Sequence, residues 1–292
     1  MTDPSEITKW FEDERAHLLA VAYRMLGSLR EAENAVQETR VLASAVNVDA
    51  VDNVGNWLTT VVGRVCLNTL RERHSQLDNE VVPIMPDPIV SPPDASDPER
   101  ATLNADTIGL SMLVILDTIP PDERLAFVLH DVFGVPFRDI ASILERSLSA
   151  TRTLASRARQ RVQAAPTPDL DLDRQRLAVD AFFAAAQQAD SDAIAALLHP
   201  DVVLRSDGGR ARPSATTIIR GAETVAESSV GFAELVPFAR PALVNGEAGV
   251  VAIDDGKIAC VVALTVTSGG IAAIEVLADS DRLDHIDAAA WS

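Results

Sequence analysis

The chain has 292 residues, 47% of them apolar, and carries 43 Asp and Glu against 25 Lys and Arg, a formal net charge of -18. That length suits two or three small domains, each able to bury a core, and the acidic balance argues against a free-standing nucleic-acid binder that draws its affinity from counterion release. There is no signal-type N-terminal segment, no bilayer-length apolar run and no His/Cys cluster at ligand spacing, so no membrane, metal or cofactor is implied. The two cysteines, Cys66 and Cys260, fall on apolar element faces, which fits a reducing cytoplasm rather than disulfides.

In chain order, the first predicted element is a helix whose core stripe is Leu18, Leu19, Ala22, Tyr23 and Leu26, ended by Gly27. A second helix resumes with Ala32, Ala35 and Val36 inward and Glu31, Glu33 and Glu38 on its exposed faces. A third buries Trp57, Val61 and Val65 with Leu58, Val62 and Cys66, and presents Arg64, Asn68 and Arg71 at helical spacing on its other side, with Arg73 just beyond. From 77 to 100 the prolines at 83, 86, 88, 92, 93 and 98 disfavour helix and central strand, so an extended linker is expected.

Residues 111–163 are the one stretch in which basic residues outnumber acidic ones, 7 to 6. Pro120 and Pro121 open a helix with Leu125, Val128, Leu129 and Val132 on one face. Gly134 stops it, and Pro136 starts a short helix with Ile140, Ile143 and Leu144 inward. Ser147 or Ser149 caps a last helix loaded with Arg152, Arg157, Arg159 and Arg161. This is a helix-turn-helix pattern. In such a unit the N-terminal residues of the last helix meet base edges, which assigns Ser149, Thr151 and Arg152 to bases and Arg157, Arg159 and Arg161 to phosphates. By charge alone, a solvated basic helix, or one paired with the acidic remainder of the chain, stays open.

After a break at 164–173, an amphipathic helix pair (174–189 and 191–199) leads into a strand at 201–206 and a helix at about 222–235. Strands follow at 242–245, 249–253, 258–266 and 271–277, with hairpin turns at Asp254–Lys257 and Ser268–Gly270. Helices followed by a curved antiparallel sheet describe an α+β domain, an order that resembles the cone-shaped fold of the ketosteroid-isomerase superfamily. His199, Asp201, Arg205, Asp207 and Arg220 are the polar residues best placed to line its pocket, but no spacing among them defines a catalytic pair, and His199 before Pro200 reads as a helix-end cap.

The segment IPPDERLAFVLHDVFGVPFRDIASIL followed by SLSATRTLASRARQRV resembles region four of the extracytoplasmic-function (ECF) sigma factors. AHLLAVAYRMLGSLREAENAVQETRVLASA and VGNWLTTVVGRVCLNTLRER resemble their region two. The resemblance implies that Glu31, Glu33 and Glu38 face core RNA polymerase, that Arg64, Asn68, Arg71 and Arg73 meet the downstream promoter element, and that region four reads the upstream one. Pro83–Pro88 resembles the tryptophan-leucine-proline-glutamate-proline signature of one sigma-factor group, with Ile84 and Met85 for the Trp-Leu pair and Asp87 for Glu. Asp207-Gly208-Gly209-Arg210 resembles that group's aspartate-triglycine-lysine motif, and Ala278–Leu283, with Asp279, Asp281, Arg282 and Leu283, its asparagine-proline-aspartate-lysine-leucine motif. Further departures are Glu145 where glycine is usual in the turn and Asn68 where relatives carry aspartate.

The chain is thereby identified as a member of the ECF sigma factors with a fused SnoaL-like C-terminal domain, of the ketosteroid-isomerase superfamily fold. The expected organisation is an all-α region two (1–76), a linker (77–100), a helix-turn-helix region four (101–163), a second linker (164–173) and an α+β cone (174–292). The resemblance implies a non-enzymatic transcription factor whose partners are core RNA polymerase and promoter DNA, with the C-terminal domain modulating activity in cis. A small unidentified ligand in that domain remains open. So do a diverged sigma-like regulator without promoter opening and a cone-fold enzyme.

Overall fold

The computed structural model describes residues 4–45, 53–76, 85–93 and 109–291. They form two compact units. The first contains α1 (Pro4–Leu26), α2 (Leu29–Ser44), α3 (Val54–Gln76), most of α4 (Leu110–Asp117), α5 (Pro121–Phe127), α6 (Phe137–Leu144) and α7 (Leu148–Gln163).

Local chemistry places the ends of these helices. Ser28 caps α2 by accepting from the Glu31 N–H, and Ser147 caps α7 by accepting from Ala150 at 3.2 Å. Pro120 and Pro136 precede the first turns of α5 and α6, where no intrahelical donor is lost. The chain runs on from α5 through one wide turn, Val128–Val132, before reversing. Glu145 ends α6 in the left-handed region, φ 54° and ψ 42°. The penalty raised by a side chain at that position is therefore present in the fold.

The buried stripes follow the apolar spacing. Leu18, Tyr23, Leu26, Ala32, Ala35 and Val36 meet Leu58, Val62, Val65 and Cys66, while Trp57 and Val61 are only half-buried. Burial pushes the Cys66 thiol up and the Cys260 thiol up to about 11, so both are protonated packing groups at neutral pH.

The second unit contains residues 85–93 and the chain from Pro166 onward. Asp171 caps α8 (Leu172–Gln187) and Asp190 caps α9 (Ser191–Leu197). Then follow β2 (Leu198–Asp207), β3 (Thr217–Arg220), α10 (Ala222–Ser229), a 3-10 stretch (Val230–Phe238), β4 (Ala239–Val244), β5 (Glu247–Asp254), β6 (Lys257–Thr267), β7 (Gly270–Leu277) and α11 (Ser280–Leu283). With β1 (Val90–Ser91), the described residues form a seven-stranded sheet in the order β1-β4-β5-β6-β7-β2-β3. Asp255 and Gly256 turn β5 into β6 with φ of 48° and 73°, the two-residue hairpin geometry that the Asp-Gly pair favours.

Three features depart from the expectation. The β2–β7 pair is parallel, inside an otherwise antiparallel sheet. β3 forms an edge strand that alternation did not mark. The edge strand beside β4 is β1 (Val90–Ser91), contributed by the proline-rich segment, with Val90 opposite Val244 and Ser91 opposite Leu243. The segment is extended, as its prolines require, but residues 85–91 belong to this unit's sheet and loops rather than forming a free tether.

The interior of the cone is apolar. Phe182, Phe183 and Phe232 form an edge-on trio with ring centroids 5.5–6.0 Å apart, packed among Val202, Leu204, Val250, Val262, Leu264 and Ile274. Truncating one such ring removes about 3–5 kcal/mol of packing. Arg176 ties α8 to the sheet through the carbonyls of Gly249 (3.0 Å) and Ala242 (2.8 Å).

Candidate nucleic-acid interface

α3 presents Arg64 and Asn68 to solvent on the side away from its buried stripe. Arg71, one turn on, is half-exposed and donates to Asp122 of α5 through Nε (3.2 Å) and Nη2 (2.8 Å). Arg73 turns back into its own bundle, donating to the Leu26 carbonyl at 3.0 Å and pairing with Glu31. Two residues expected to face different partners, Arg73 toward DNA and Glu31 toward polymerase, are thus bonded to each other, which braces α3 against the start of α2. Glu33 and Glu38 are exposed on α2, close to the exposed apolar Val41 and Leu42 one turn later.

On α7 the order of exposure separates the residues expected to touch DNA. Ser149 is exposed beside Ser147, with their hydroxyls 3.1 Å apart. Thr151 is a correction: it is fully buried, and its hydroxyl donates to the Ser147 carbonyl at 3.1 Å. Thr151 is the fourth residue from the cap, on the buried side of α7 with Ala155 and Ala158, and burial takes it out of reach of a base edge. Arg152 is exposed and lies over the Phe137 ring, 5.8 Å from its centroid, while Phe137 stacks on His130 at 3.7 Å. The other three arginines have carboxylate neighbours: Arg159 donates to Asp131 at 2.9 Å, and Arg157 and Arg161 lie 3.7 and 3.9 Å from Glu123. Their side chains are 39–62% exposed, so solvent screens these pairs.

The motifs of the second unit converge on one arginine. Arg282 donates through Nε to Asp87 (2.7 Å), through Nη1 to Asp207 (2.9 Å) and through Nη2 to the Met85 carbonyl. Asp207 also accepts from the Met85 N–H at 3.2 Å. The proline-rich motif, the diglycine loop and the C-terminal loop therefore meet in one hydrogen-bonded clasp. Gly209 has φ 61°, and a Cβ there would overlap the Asp279 carboxylate, so the position requires glycine twice over. Asp279 caps α11 by accepting from the Asp281 N–H at 3.1 Å, and Leu283 is buried beneath. Arg210 and Asp281 are exposed, and Ile84 lies outside the described residues.

Two contributors carried no motif signal. Arg212, rather than Arg210, reaches the Ala278 carbonyl at 2.6 Å. Asn245, buried in the left-handed region, accepts from the Ile89 N–H at 3.0 Å while its own N–H donates to the Ile89 carbonyl at 2.8 Å. An Asn-Gly pair between two strands signals a turn; that it also clamps a remote segment is not written locally.

The pocket-lining expectation for the cone is not met by the geometry. His199 stands at the start of β2, and its Nδ1 accepts from the Asp201 N–H at 3.1 Å, a local turn bond rather than a helix cap. Arg205 pairs with Glu275 at 3.2 Å, Asp207 belongs to the clasp, and Arg220 is exposed. Glu275 is wholly buried, and that burial pushes its carboxyl up to about 8, against the opposing pull of Arg205. Burial likewise raises Glu247 to about 7.

With this geometry described, similarity to known proteins can be set beside it. Residues 10–76 match the family model for Sigma-70 region 2, and residues 110–162 match Sigma-70, region 4. The chain is 35% identical over 287 residues to the ECF RNA polymerase sigma factor SigJ of Mycobacterium tuberculosis, covering 93% of this chain and 91% of that protein. It is 28% identical to the probable ECF RNA polymerase sigma factor SigI of the same species, across 99% and 98% of the two chains. The crystal structure of M. tuberculosis SigJ superposes with a TM-score of 0.76 at 33% identity, covering 95% of this chain and 98% of that one. Among the described residues no helix is long and apolar enough to cross a membrane.

Proposed function

Because this chain belongs to the ECF RNA polymerase sigma factors, we propose that it binds core RNA polymerase in the cytoplasm and directs initiation at its own promoters, with the SnoaL-like domain adjusting that activity in cis. Regions 2 and 4 occur in order on one chain, and the likeness to SigJ runs through all three parts. The polymerase contact is assigned to the exposed face of α2, led by Glu33 and Glu38, with Glu31 reached through its pairing with Arg73. The downstream element is assigned to Arg64, Asn68 and Arg71, and the upstream one to Ser149 and Arg152. Arg157, Arg159 and Arg161 supply phosphate contacts, since an exposed guanidinium exchanges a carboxylate for a phosphate at little cost.

The observation that carries the in-cis reading is the Arg282 clasp. Residues 85–91 are part of the chain that joins region 2 to region 4, and the clasp ties them to the C-terminal sheet. Holding that segment shortens the length of chain free to separate the two regions, because each extended residue spans at most about 3.6 Å. The domain works through this hold: Asp207 serves the clasp, Arg205 pairs with Glu275, and the phenylalanine trio packs its interior. The test is co-purification with core polymerase and run-off transcription from the DNA upstream of its own gene, for the full chain and for one ending at Ala164. Transcription that depends on the chain and changes on truncation supports the reading; equal transcription with and without residues 165–292 overturns the in-cis role.

A further inference from the structure

We propose that Asp122, in the first turn of α5, is an intramolecular stand-in for DNA phosphate, occupying a cation of region 2 and a cation of region 4 while the two regions are packed closed on each other in the free protein. This rests on the sigma-factor reading and goes beyond it by naming the group that promoter DNA must displace.

The two regions share a packed seam. α5 crosses α3 at Gly63, where a Cβ would come within 2.9 Å of a Leu129 methyl and 3.4 Å of a Leu125 methyl. Arg124, fully buried, reaches across to the Arg24 carbonyl at the end of α1, through Nη2 at 2.9 Å and Nε at 3.3 Å, and pairs with Asp117 on its own side. Asn56 of α3 donates to Asp139 of α6 at 3.2 Å. Packing and a buried guanidinium thus hold the seam, and Arg124 at its centre is shut off from water.

Asp122 differs from them. One of its oxygens accepts two bonds from Arg71, and the other lies 3.5 Å from Arg146, which immediately precedes the cap of α7. One carboxylate therefore occupies a cation from the region 2 promoter helix and a cation at the start of the region 4 recognition unit. Each guanidinium lies within 3.5 Å of the same carboxylate, so both cations sit across a single acid group, a span far shorter than the several base-pair steps, at roughly 3.4 Å each, that separate two promoter elements. Regions that read separate upstream and downstream elements cannot both be in place at that separation. The pair borders a cavity of about 340 Å³ lined by Arg71, His74, Pro121, Asp122, Glu123 and Leu154, and the Arg71 head is 46% exposed. Solvent and phosphate reach this bond, as they do not reach Arg124. Any backbone phosphate that engages Arg71 takes it from Asp122, and the acid is left as a repelling charge beside the DNA.

The test uses the full chain. Fluorescence anisotropy with duplex from its own upstream DNA should show Asp122→Asn binding roughly two- to fivefold more tightly than the parent at low salt, the ratio an exposed ion pair supplies. The gap should close as salt rises, and Asp122→Glu should bind like the parent. In a second measurement, Asn56→Cys with Asp139→Cys, joined by a short bifunctional maleimide, should lose run-off transcription with core polymerase, while the same variant left unjoined keeps it. Unchanged or weaker DNA binding by Asp122→Asn overturns the phosphate-mimic role, and full transcription by the joined protein overturns the closed seam as a block. Failure of the parent protein to support transcription at all would instead remove the sigma-factor reading on which both rest.

Discussion

Arg282 and Arg71 are the same residue type with carboxylate partners, yet the molecule uses them in opposite ways. Arg282 is mostly buried and binds three groups from two remote segments, Asp87, the Met85 carbonyl and Asp207. Arg71 is half-exposed and has one acid, Asp122. A guanidinium becomes structural when burial makes losing it leave other charges unpaired, and it remains available for a ligand when water can replace its partner. By this criterion the C-terminal clasp is architecture, whereas Arg71 of α3 and Arg152 and Arg157 of α7 keep guanidinium groups that solvent reaches.

The largest expected effect tests the architectural half. Arg282→Ala removes the guanidinium that the buried Asp207 and Asp87 share, and should lower the unfolding free energy of the C-terminal unit by about 3 kcal/mol in urea. Arg282→Lys should recover only part of this, because an ammonium cannot bond all three acceptors in the plane of a fork. A variant as stable as the parent would demote the clasp to a surface contact.

Arg152 and Arg157 sharpen the ligand-binding half. Arg152→Ala should cost roughly 1–3 kcal/mol of discrimination at a single promoter position, whereas Arg157→Ala should weaken all sequences alike and reduce the salt slope by about one. Binding titrations across promoter variants and salt concentrations separate the two. Identical behaviour would mean that α7 is an electrostatic grip throughout.

Glu275 offers a contrast within the sheet, being a buried carboxylate with an arginine beside it whose pKa burial still raises to about 8. The folded state therefore holds a proton that the unfolded chain, with a pKa near 4.5, releases. Stability from this group is full below about pH 4.5 and is lost as pH rises toward 8. Glu275→Gln should flatten the fall in melting temperature over that window and stabilise the protein at pH 8. A parent whose melting temperature is level from pH 5 to 8 would contradict this.

The smallest effect concerns Glu145. Its left-handed backbone should make Glu145→Gly a gain of about 0.5–1 kcal/mol, the strain relieved less the entropy glycine adds to the unfolded chain. A loss on that substitution, measured by thermal unfolding, would show that the Glu145 side chain contributes more than its strain costs.

Much of this was legible in the residues themselves. Apolar spacing locates the helices of both regions, the Asp255-Gly256 pair sets a hairpin, and the prolines keep residues 85–93 extended, because each depends on groups a few positions apart. The left-handed Glu145 is legible too, from the turn between α6 and α7. What the tertiary structure alone decided is which partners these elements find: β1 adding to β4, β2 running parallel to β7, Thr151 buried at the start of α7, Arg73 drawn to Glu31, and Asp122 set between Arg71 and Arg146. Those contacts join residues up to 197 positions apart, as in Arg282 with Met85. No local periodicity encodes them, since their energy arises only when separate elements pack and exclude water around a charge.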